Sequence, residues 1–313
     1  MPLLGAGTTT LGREVGEDDS YRLLDRAYEL GFRVFDTAEA YGGGNARAYR
    51  AKTLGIEDIR ETTGLMHSSE IILGRWIRSR GVRGEITLKT KVSSGFTASA
   101  IRRSLTASLD RLQTGSADVY YLHSMPAGIP LEEPLSVLTE EQRGGRIGGI
   151  GVSNFSLASL ELARSIAPGV AYCQNVYNLA LPEAEEDVIP YCRRNALCFV
   201  AYSPLGAGFL TGKYGARGEQ SPAGTRFDVI PGHRDVYFHD SCFDALRRLE
   251  QLSAETRIPQ HLLALAWVFR HPDIGIVLIG ATRPDHLENA IEASRLSLDD
   301  GFWSRLDRAP KDH

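Results

Sequence analysis

Four polar side chains follow short apolar runs at places where their chemistry could be used. Asp36 ends the run "FRVFD", and Tyr41 follows it by five residues, just before three glycines. Lys91 lies near the end of "EITLKTKV", and His123 ends "ADVYYLH". Each one alone has an ordinary structural explanation, such as a cap, a loop aromatic, a solvated strand end or a hydrogen-bonded core histidine. If all four meet at one place, an acid, a phenol, an amine and an imidazole predict a site that transfers protons.

The segments that must bring these residues together alternate regularly along the chain. Short apolar runs such as "PLLGAG" and "LCFVAYS" are each followed by an amphipathic segment such as "EDDSYRLLDRAYELG". Eight such strand-and-helix units occur in succession, which favours a parallel sheet closed into a (β/α)8 TIM barrel over an open sheet. We therefore expect one α/β domain over residues 1–313, with long loops on the carboxyl-terminal face, where barrel enzymes carry their active sites.

Two segments are longer than the connections of such a barrel require. Residues 46–67 form an insertion after strand 2, between its loop and the following helix. Residues 205–240 form a long loop after strand 7 that is rich in Gly, Pro and Arg. Loops of this length inside a compact domain usually serve function, so both are expected beside the active site.

The composition restricts the possible partners. A formal net charge of −4 provides no basic surface for nucleic acid, and no apolar run approaches the roughly 20 residues that span a bilayer. The amino terminus lacks a basic head and a long apolar stretch, so a cytoplasmic location is expected. The four cysteines have spacings that match neither a zinc site nor a disulfide framework. No metal site is predicted.

Six motifs in order along the chain resemble those of the aldo-keto reductase superfamily, in particular its bacterial NADP-dependent members. They are "FDTAEAYGGG", "LKTKV", "YYLH", "GVSNF", "QNVYN" and "AYSPLGAGFLTGKY". The resemblance runs from Gly5 to about Glu288 and is interrupted by residues 46–67. Each motif falls at the carboxyl end of a predicted strand, which makes the resemblance much more specific than any one motif.

The resemblance implies a catalytic tetrad with a defined division of labour. Tyr41 would be the general acid, Lys91 and Asp36 its tuning pair, and His123 the group that orients the carbonyl. A free phenol has a pKa of about 10, and a neighbouring ammonium would lower it. Lys89 points to the same side of its strand as Lys91, and the motif position favours Lys91.

The resemblance also implies NADP (NADPH) as the hydride source, bound without a GxGxxG fingerprint or a Rossmann domain. Ser153, Asn154 and Gln174 would hold the carboxamide, and Tyr202 would stack on the nicotinamide ring. The other implied contacts are Ser203, Leu205, Gly206, Gly208 and Lys213 along the pyrophosphate, and Gly280, Thr282, Arg283 and His286 at the adenosine end. An arginine at that end suits a 2′-phosphate and favours NADP over NAD.

The expected reaction interconverts a small aldehyde, ketone or sugar-like carbonyl compound and its alcohol. Within the insertion, "ARAYRAK" offers Arg47, Arg50 and Lys52 with Tyr49 for an anionic or sugar-containing substrate. An exposed helical excursion or an oligomer contact is the alternative for this segment. The sequence does not indicate the oligomeric state.

Two other function classes stay open at this point. One is a cofactor-binding regulatory or partner protein of the same fold with little turnover, as in the potassium-channel β subunits of the superfamily. The other is a barrel isomerase or aldolase in which Lys91 forms a Schiff base. The motifs "GVSNF" and "AYSPLG" favour the reductase over the Schiff-base enzyme.

Overall fold

The computed structural model describes residues 1–125, 128–214 and 221–307, and its centre is a closed barrel of eight parallel strands. The strands are β1 (Leu3–Gly7), β2 (Val34–Asp36), β3 (Thr87–Val92), β4 (Ala117–Leu122), β5 (Ile147–Ser153), β6 (Val170–Val176), β7 (Cys198–Tyr202) and β8 (Ile274–Gly280). Each strand pairs with the next along the chain, and β8 pairs with β1 to close the ring. The predicted (β/α)8 TIM barrel is confirmed.

Helices accompany the strands in the order that the alternating pattern predicts. In the described residues they are α1 (Glu17–Glu29), α2 (Gly43–Leu54), α3 (Ser68–Arg80), α4 (Ala98–Leu112), α5 (Glu132–Arg143), α6 (Leu157–Ile166), α7 (Val188–Arg194), α8 (Arg226–Val229), α9 (Arg234–Tyr237), α10 (Asp240–Thr256), α11 (Gln260–Phe269), α12 (Pro284–Ala293) and α13 (Asp300–Leu306). Short 3-10 turns occur at Arg83–Glu85, Glu183–Glu185, Gly206–Thr211 and Pro231–His233.

Alternation along the strands separates the two sides of the barrel wall. Phe35 and Leu88 belong to the large core between strands and helices, whereas Val34, Val200 and Ile276 belong to a separate small cluster. Successive side chains of a strand point to opposite faces, so this small cluster fills the interior. Asp36 lies two residues after Val34 and therefore also points inward.

The alternating sequence pattern did not predict the helix α10. That pattern placed α11 directly after the loop at 205–240. The buried positions of α10 repeat at helical spacing: Cys242, Ala245, Leu246, Leu249 and Leu252. It packs against α11 and α13 on the outside of the barrel. Two long helices thus lie between β7 and β8, where counting of strand-and-helix units requires only one.

The long loop after β7 is built from short helical pieces rather than one irregular chain. A 3-10 turn at Gly206–Thr211 comes first, and α8, the turn at Pro231–His233 and α9 follow. Residues 215–220 of the predicted 205–240 loop lie outside the described residues, as do residues 308–313 of the predicted domain. The three tryptophans, Trp76 in α3, Trp267 in α11 and Trp303 in α13, are buried in the core.

Within the described ranges, no helix is long and apolar enough to cross a membrane. In the same ranges, no cluster of His, Cys, Asp and Glu side chains has the arrangement of a metal site. No disulfide joins Cys173, Cys192, Cys198 and Cys242 in the described chain, and three of these cysteines are buried.

Candidate active site

The four predicted catalytic residues meet at the carboxyl-terminal end of β2, β3 and β4. Asp36 is the last residue of β2, Lys91 lies in β3 and His123 directly follows β4. Lys91 Nζ donates to Asp36 Oδ1 and, at 2.7 Å, to the carbonyl oxygen of Thr37. Tyr41 reaches over this pair from the turn after β2, with its ring centroid 5.1 Å from Lys91 Nζ.

Tyr41 and His123 form the part of this group that other molecules can reach. Both are half-buried, whereas Lys91 and Asp36 are buried. The Tyr41 hydroxyl lies 3.5 Å from Nε2 of His123, and the two rings meet edge to face. A carbonyl oxygen seated between these two atoms would have a hydroxyl and an imidazole within hydrogen-bonding distance.

The orientation of His123 depends on a residue that sequence reasoning missed. Ser93 Oγ lies 2.7 Å from Nδ1 of His123, and the backbone of His123 donates to the carbonyl oxygen of Val92 at 3.0 Å. When the Ser93 hydroxyl donates to Nδ1, the ring proton is placed on Nε2, which faces Tyr41. Ser93 follows Lys91 by two residues in "LKTKVSS", and this proximity to the motif was the signal that could have identified it.

Burial controls the protonation of the tetrad. It raises the pKa of Tyr41, and the charge of Asp36 raises it further. Burial lowers the pKa of Lys91, while Asp36 opposes that change. The pKa of His123 falls to about 3 through burial and the charge of Lys91. The phenol therefore holds its proton at neutral pH, and the imidazole is neutral.

The structure differs from the sequence-based prediction in the cation that lowers the pKa of Tyr41. The sequence predicts that an ammonium lowers the pKa of Tyr41, but the positive charge that opposes its rise belongs to Arg13. The charge of Lys91 is instead held by Asp36. Arg13 lies in the loop after β1 and was not among the predicted site residues.

The residues predicted at the nicotinamide carboxamide adjoin the tetrad. Ser153 ends β5, Asn154 follows it with a φ of 62°, and Gln174 lies in β6. Gln174 Nε2 donates to Asp36 Oδ2 at 2.8 Å, and no described residue donates to its side-chain oxygen. Asn154 Nδ2 donates to the carbonyl oxygen of His123 at 2.9 Å. An amide group placed here would find the acceptor oxygen of Gln174, so the residues fit a carboxamide.

Tyr202 lies next to this group, at the end of β7. Its hydroxyl donates to Asn154 Oδ1 at 2.6 Å, which fixes both side chains. The following residue, Ser203, has a φ of 54°, and its carbonyl oxygen accepts from Asn178 Nδ2 at 2.9 Å. Asn178, in the motif "QNVYN", thus positions the turn that leads to Leu205, Gly206 and Gly208. The sequence analysis predicted a role for Gln174 of this motif but none for Asn178.

The predicted contacts at the far end of the cofactor come together as a cluster of basic groups. Lys213 Nζ lies so close to Gly208 that a Cβ there would be 2.8 Å from it. The pKa of Lys213 is lowered by burial and by the charge of Arg283. That of His286 is lowered by burial, although Asp285 opposes this. Such mutual repulsion of basic groups marks a place suited to an anion.

The cluster lies at the beginning of α12. Gly280 ends β8, Thr282 follows, and Arg283 is the residue before the first turn of the helix. The backbone N–H of Thr282 lies 3.3 Å from Nδ1 of His286. The side chain of Arg283 is 68% exposed and pairs with Asp285 at 2.9 Å. The amino end of a helix together with these cations fits a phosphate group.

A model of the Aldo/keto reductase family matches residues 3–311. The chain belongs to this family. It is 30% identical to the aldo-keto reductase YhdN of Bacillus subtilis (strain 168), over 94% of this chain and 86% of YhdN. It is 26% identical to the NADP(+) aldo-keto reductase yakc of Schizosaccharomyces pombe, over 99% of this chain and 88% of yakc.

A solved structure is similar over almost the whole fold. The crystal structure of the thermostable aldo-keto reductase Tm1743 with the inhibitor epalrestat superimposes with a TM-score of 0.72 at 27% identity. The match covers 98% of this chain and 94% of that chain. Membership in the family supports an oxidoreductase that acts on carbonyl compounds in general, with a nicotinamide cofactor.

The three glycines after Tyr41 allow the insertion to pack against the turn that carries this tyrosine. The helix α2 begins at Gly43, inside the glycine run, and the chain returns alongside it at residues 63–66. A Cβ on Gly43 would lie 1.9 Å from the carbonyl oxygen of Thr63 and 2.4 Å from that of Gly12. Only glycine permits this contact, which joins the loop of Tyr41 to the insertion and to the loop after β1.

The prediction that Arg50 of the insertion binds substrate is wrong. Arg50 is 0% exposed, and it forms an ion pair with Glu61, which is 1% exposed. Two further N–H groups donate to the carbonyl oxygens of Asp58 and Val229, both at 2.9 Å, and the buried Nε has no hydrogen-bond partner in the described chain. Because Val229 belongs to α8, Arg50 ties the insertion to the long loop after β7. The other predicted basic residues, Arg47 and Lys52, and also Tyr49, are exposed.

Proposed function

We propose that this protein is an NADP-dependent reductase of small carbonyl compounds in which Tyr41 is the proton donor. One observation carries the proposal: the Tyr41 hydroxyl and His123 Nε2 lie 3.5 Å apart over the buried pair of Lys91 and Asp36. Gln174 links the same Asp36 to the predicted nicotinamide contacts. Proton donor, carbonyl-orienting group and cofactor contacts therefore share one hydrogen-bonded network.

Each residue has a defined task in this proposal. NADPH supplies the hydride when bound. His123 Nε2 donates to the substrate oxygen and orients it, and the Tyr41 hydroxyl gives that oxygen a proton as negative charge develops. In the reverse direction the Tyr41 oxygen receives the proton from the alcohol. Lys91 compensates the charge of Asp36, which would otherwise disfavour the phenolate that remains after proton donation.

The surroundings of Lys91 argue against a Schiff-base enzyme. Its ammonium is fully buried and donates to both Asp36 and the carbonyl oxygen of Thr37. A nucleophilic amine needs access to substrate and an unshared electron pair, and the partners of Lys91 favour the charged form. Failure of borohydride to trap carbonyl compounds on Lys91 is the expected result.

The substitution Tyr41→Phe tests the role of the phenol. Loss of a general acid typically lowers turnover by about 10²–10⁴-fold, whereas NADPH binding should stay unchanged, because the cofactor contacts are left intact. Turnover is followed as NADPH oxidation with aldehydes, ketones and aldoses, and binding by tryptophan fluorescence. Tyr191→Phe removes a hydroxyl from a half-buried tyrosine of α7 that is not among the predicted site residues, and it serves as the control. Unchanged turnover in Tyr41→Phe would contradict the mechanism.

The same measurements on the wild-type protein separate the reductase from its alternative. Tight NADPH binding without turnover on a broad panel of carbonyl compounds would favour a regulatory protein that binds the cofactor. No binding of NADPH or NADH would contradict both. The intact tetrad supports the reductase, since a protein that only binds the cofactor has no need of a proton donor beside it.

NADP rather than NAD is proposed because of Arg283. Its guanidinium is exposed beside Lys213 and His286, and in the described chain it pairs with Asp285. A yeast relative carries NADP(+) in its name, which also supports this choice. Arg283→Leu should weaken NADPH binding by about 10–100-fold, the loss of one charge-assisted hydrogen bond, and leave NADH binding unchanged. Equal loss for both cofactors would contradict recognition of the 2′-phosphate.

A further inference from the structure

Arg13 is a buried cation with an unsatisfied donor. It lies in the loop between β1 and α1 and is 5% exposed. Its Nε donates to Glu14 Oε2 at 2.6 Å. Its Nη2 is buried and has no hydrogen-bond partner in the described parts of the chain. A buried donor without a partner costs free energy, and guanidinium donors are seldom left in this state.

The position of Arg13 is fixed relative to the proton donor. Its backbone carbonyl oxygen accepts from the N–H of Thr62 in the insertion at 2.8 Å. The adjacent Gly12 carbonyl oxygen packs against Gly43, two residues after Tyr41. The positive charge of Arg13 lowers the pKa of Tyr41 and also that of His233, which lies in the loop after β7. Arg13 therefore lies near enough to both Tyr41 and the second long loop for its charge to act on them.

The charges around Arg13 do not cancel. Glu14 is shared, because Arg226 Nη1 lies 3.8 Å from its other carboxylate oxygen. His233 accepts from Arg226 Nε at 3.2 Å, and burial and Arg13 lower the pKa of His233 to about 4, so it is neutral. Two guanidinium groups thus share one carboxylate. Within the described chain, this leaves one unit of positive charge beside the reactive phenol.

We infer that Arg13 binds a carboxylate carried by the substrate, so that the preferred substrates are carbonyl compounds with an acidic group. This inference rests on the proposed function and names its substrate class. A carboxylate would accept from the free Nη2 and neutralise the surplus charge, and arginine forms such pairs with defined geometry. Arg50 Nε is also buried without an acceptor, but the charge of Arg50 is neutralised by its own carboxylate partner, Glu61. Arg226 contacts Glu14 and donates to His233, and no unsatisfied buried donor is found on it in the described chain.

A matched pair of substrates tests this inference. 4-Carboxybenzaldehyde and methyl 4-formylbenzoate have the same aldehyde and ring and differ in the charge of one group. The wild-type protein should reduce the acid with the higher kcat/KM. Arg13→Gln should lower the acid-to-ester ratio of kcat/KM by about 10–100-fold, which corresponds to one lost charge-assisted hydrogen bond. The change should lie mainly in KM for the acid.

Two further variants sharpen the experiment. Arg13→Lys keeps the charge but loses the planar fork, so an intermediate ratio is expected. Arg103→Gln removes an exposed positive charge from α4, which carries no predicted site residue, and should leave the ratio and the rates unchanged. Thermal unfolding and NADPH titration of each variant report whether it is folded and binds the cofactor.

Several outcomes would overturn the inference. An unchanged ratio in Arg13→Gln, including an equal loss for acid and ester, would give Arg13 a structural role or an effect on Tyr41 alone. Weakened NADPH binding with an unchanged ratio would assign Arg13 to the cofactor. If Arg13→Gln does not fold, equal kcat/KM values for the two substrates in the wild type would still refute it. Turnover of neither substrate, nor of any other carbonyl compound, would instead refute the proposed function.

Discussion

The ion pair of Arg50 and Glu61 within the insertion, which also holds the insertion to the loop after β7, provides a quantitative test of the structure. Glu61→Gln would leave Arg50 as a fully buried cation without its carboxylate partner. Removing one member of a buried pair typically costs about 3–5 kcal/mol. The carboxylate of Asp58 lies 4.0 Å from Arg50 Nε and is half exposed, so it compensates little. We predict a loss within that range.

The double variant Arg50→Met with Glu61→Leu should be less destabilised than Glu61→Gln alone. It removes both charges and so leaves no uncompensated ion, and apolar replacements of such pairs are often neutral. It also deprives the carbonyl oxygens of Val229 and Asp58 of their donor. Val229 is buried, and an unsatisfied buried acceptor costs about 1–3 kcal/mol, whereas water can reach Asp58.

Hydrogen exchange measures the size of the destabilisation by Glu61→Gln and also shows which residues it affects. The N–H of Thr62 donates to the carbonyl oxygen of Arg13, so it reports opening of the insertion. A loss of about 3–5 kcal/mol speeds exchange through such openings by roughly 10²–10³-fold or more at residues 55–67 and 226–230. Glu57→Gln removes an equal charge from an exposed position of the same loop and is the control. Exchange rates in Glu61→Gln that match those of Glu57→Gln would refute the reasoning.

Two further predictions concern packing and pH. Gly43→Ala should be strongly destabilised, because its Cβ would overlap the carbonyl oxygen of Thr63, whereas Gly64→Ala, with open space around it, should melt within a few degrees of the wild type. The pKa of His123 is about 3 in the folded protein, below its unfolded value of 6.5, so the unfolded chain binds more protons between these values. The free energy of unfolding should therefore rise with pH over pH 4–6, by up to about 1.4 kcal/mol per unit for this histidine. His123→Asn should flatten the denaturant-derived profile by that slope, and an unchanged slope would contradict the buried neutral imidazole.

The tetrad could be predicted because its positions follow from the fold. Asp36, Lys91 and His123 each end a strand, and the carboxyl ends of parallel barrel strands converge at one face. Tyr41 follows one of those ends by five residues. Neither their hydrogen bonds nor the contribution of Ser93 could be predicted, since a serine two residues after the strand motif becomes a partner of His123 only once β3 and β4 are paired.

The helix α10 shows why the number of strand-and-helix units does not predict every helix of the fold. Its apolar stripe was present in the sequence at the spacing of a helix, from Cys242 to Leu252. It does not complete a strand-and-helix unit, because α11 already provides the helix before β8. The apolar face of this additional helix packs against α11 and α13. The surface that it covers exists only once those helices are folded, so the sequence alone does not show where the helix belongs.

Two arginines, Arg13 and Arg50, show why the sequence alone could not identify the residue that binds an anionic substrate. Arg50 and Arg13 are both buried arginines near Tyr41, and the sequence favoured the first because it lies in a basic run. Glu61, the partner of Arg50, is eleven residues away, and the acceptor Val229 lies in another loop. The sequence therefore does not show that the charge of Arg50 is neutralised. Arg13 stands beside an acid that it must share with Arg226. Both arginines have a buried N–H without an acceptor, but Glu61 neutralises the charge of Arg50, whereas Arg13 and Arg226 share Glu14. The site for an anion is therefore decided by which guanidinium keeps an uncompensated charge, and in the described chain that points to Arg13 rather than to the basic run.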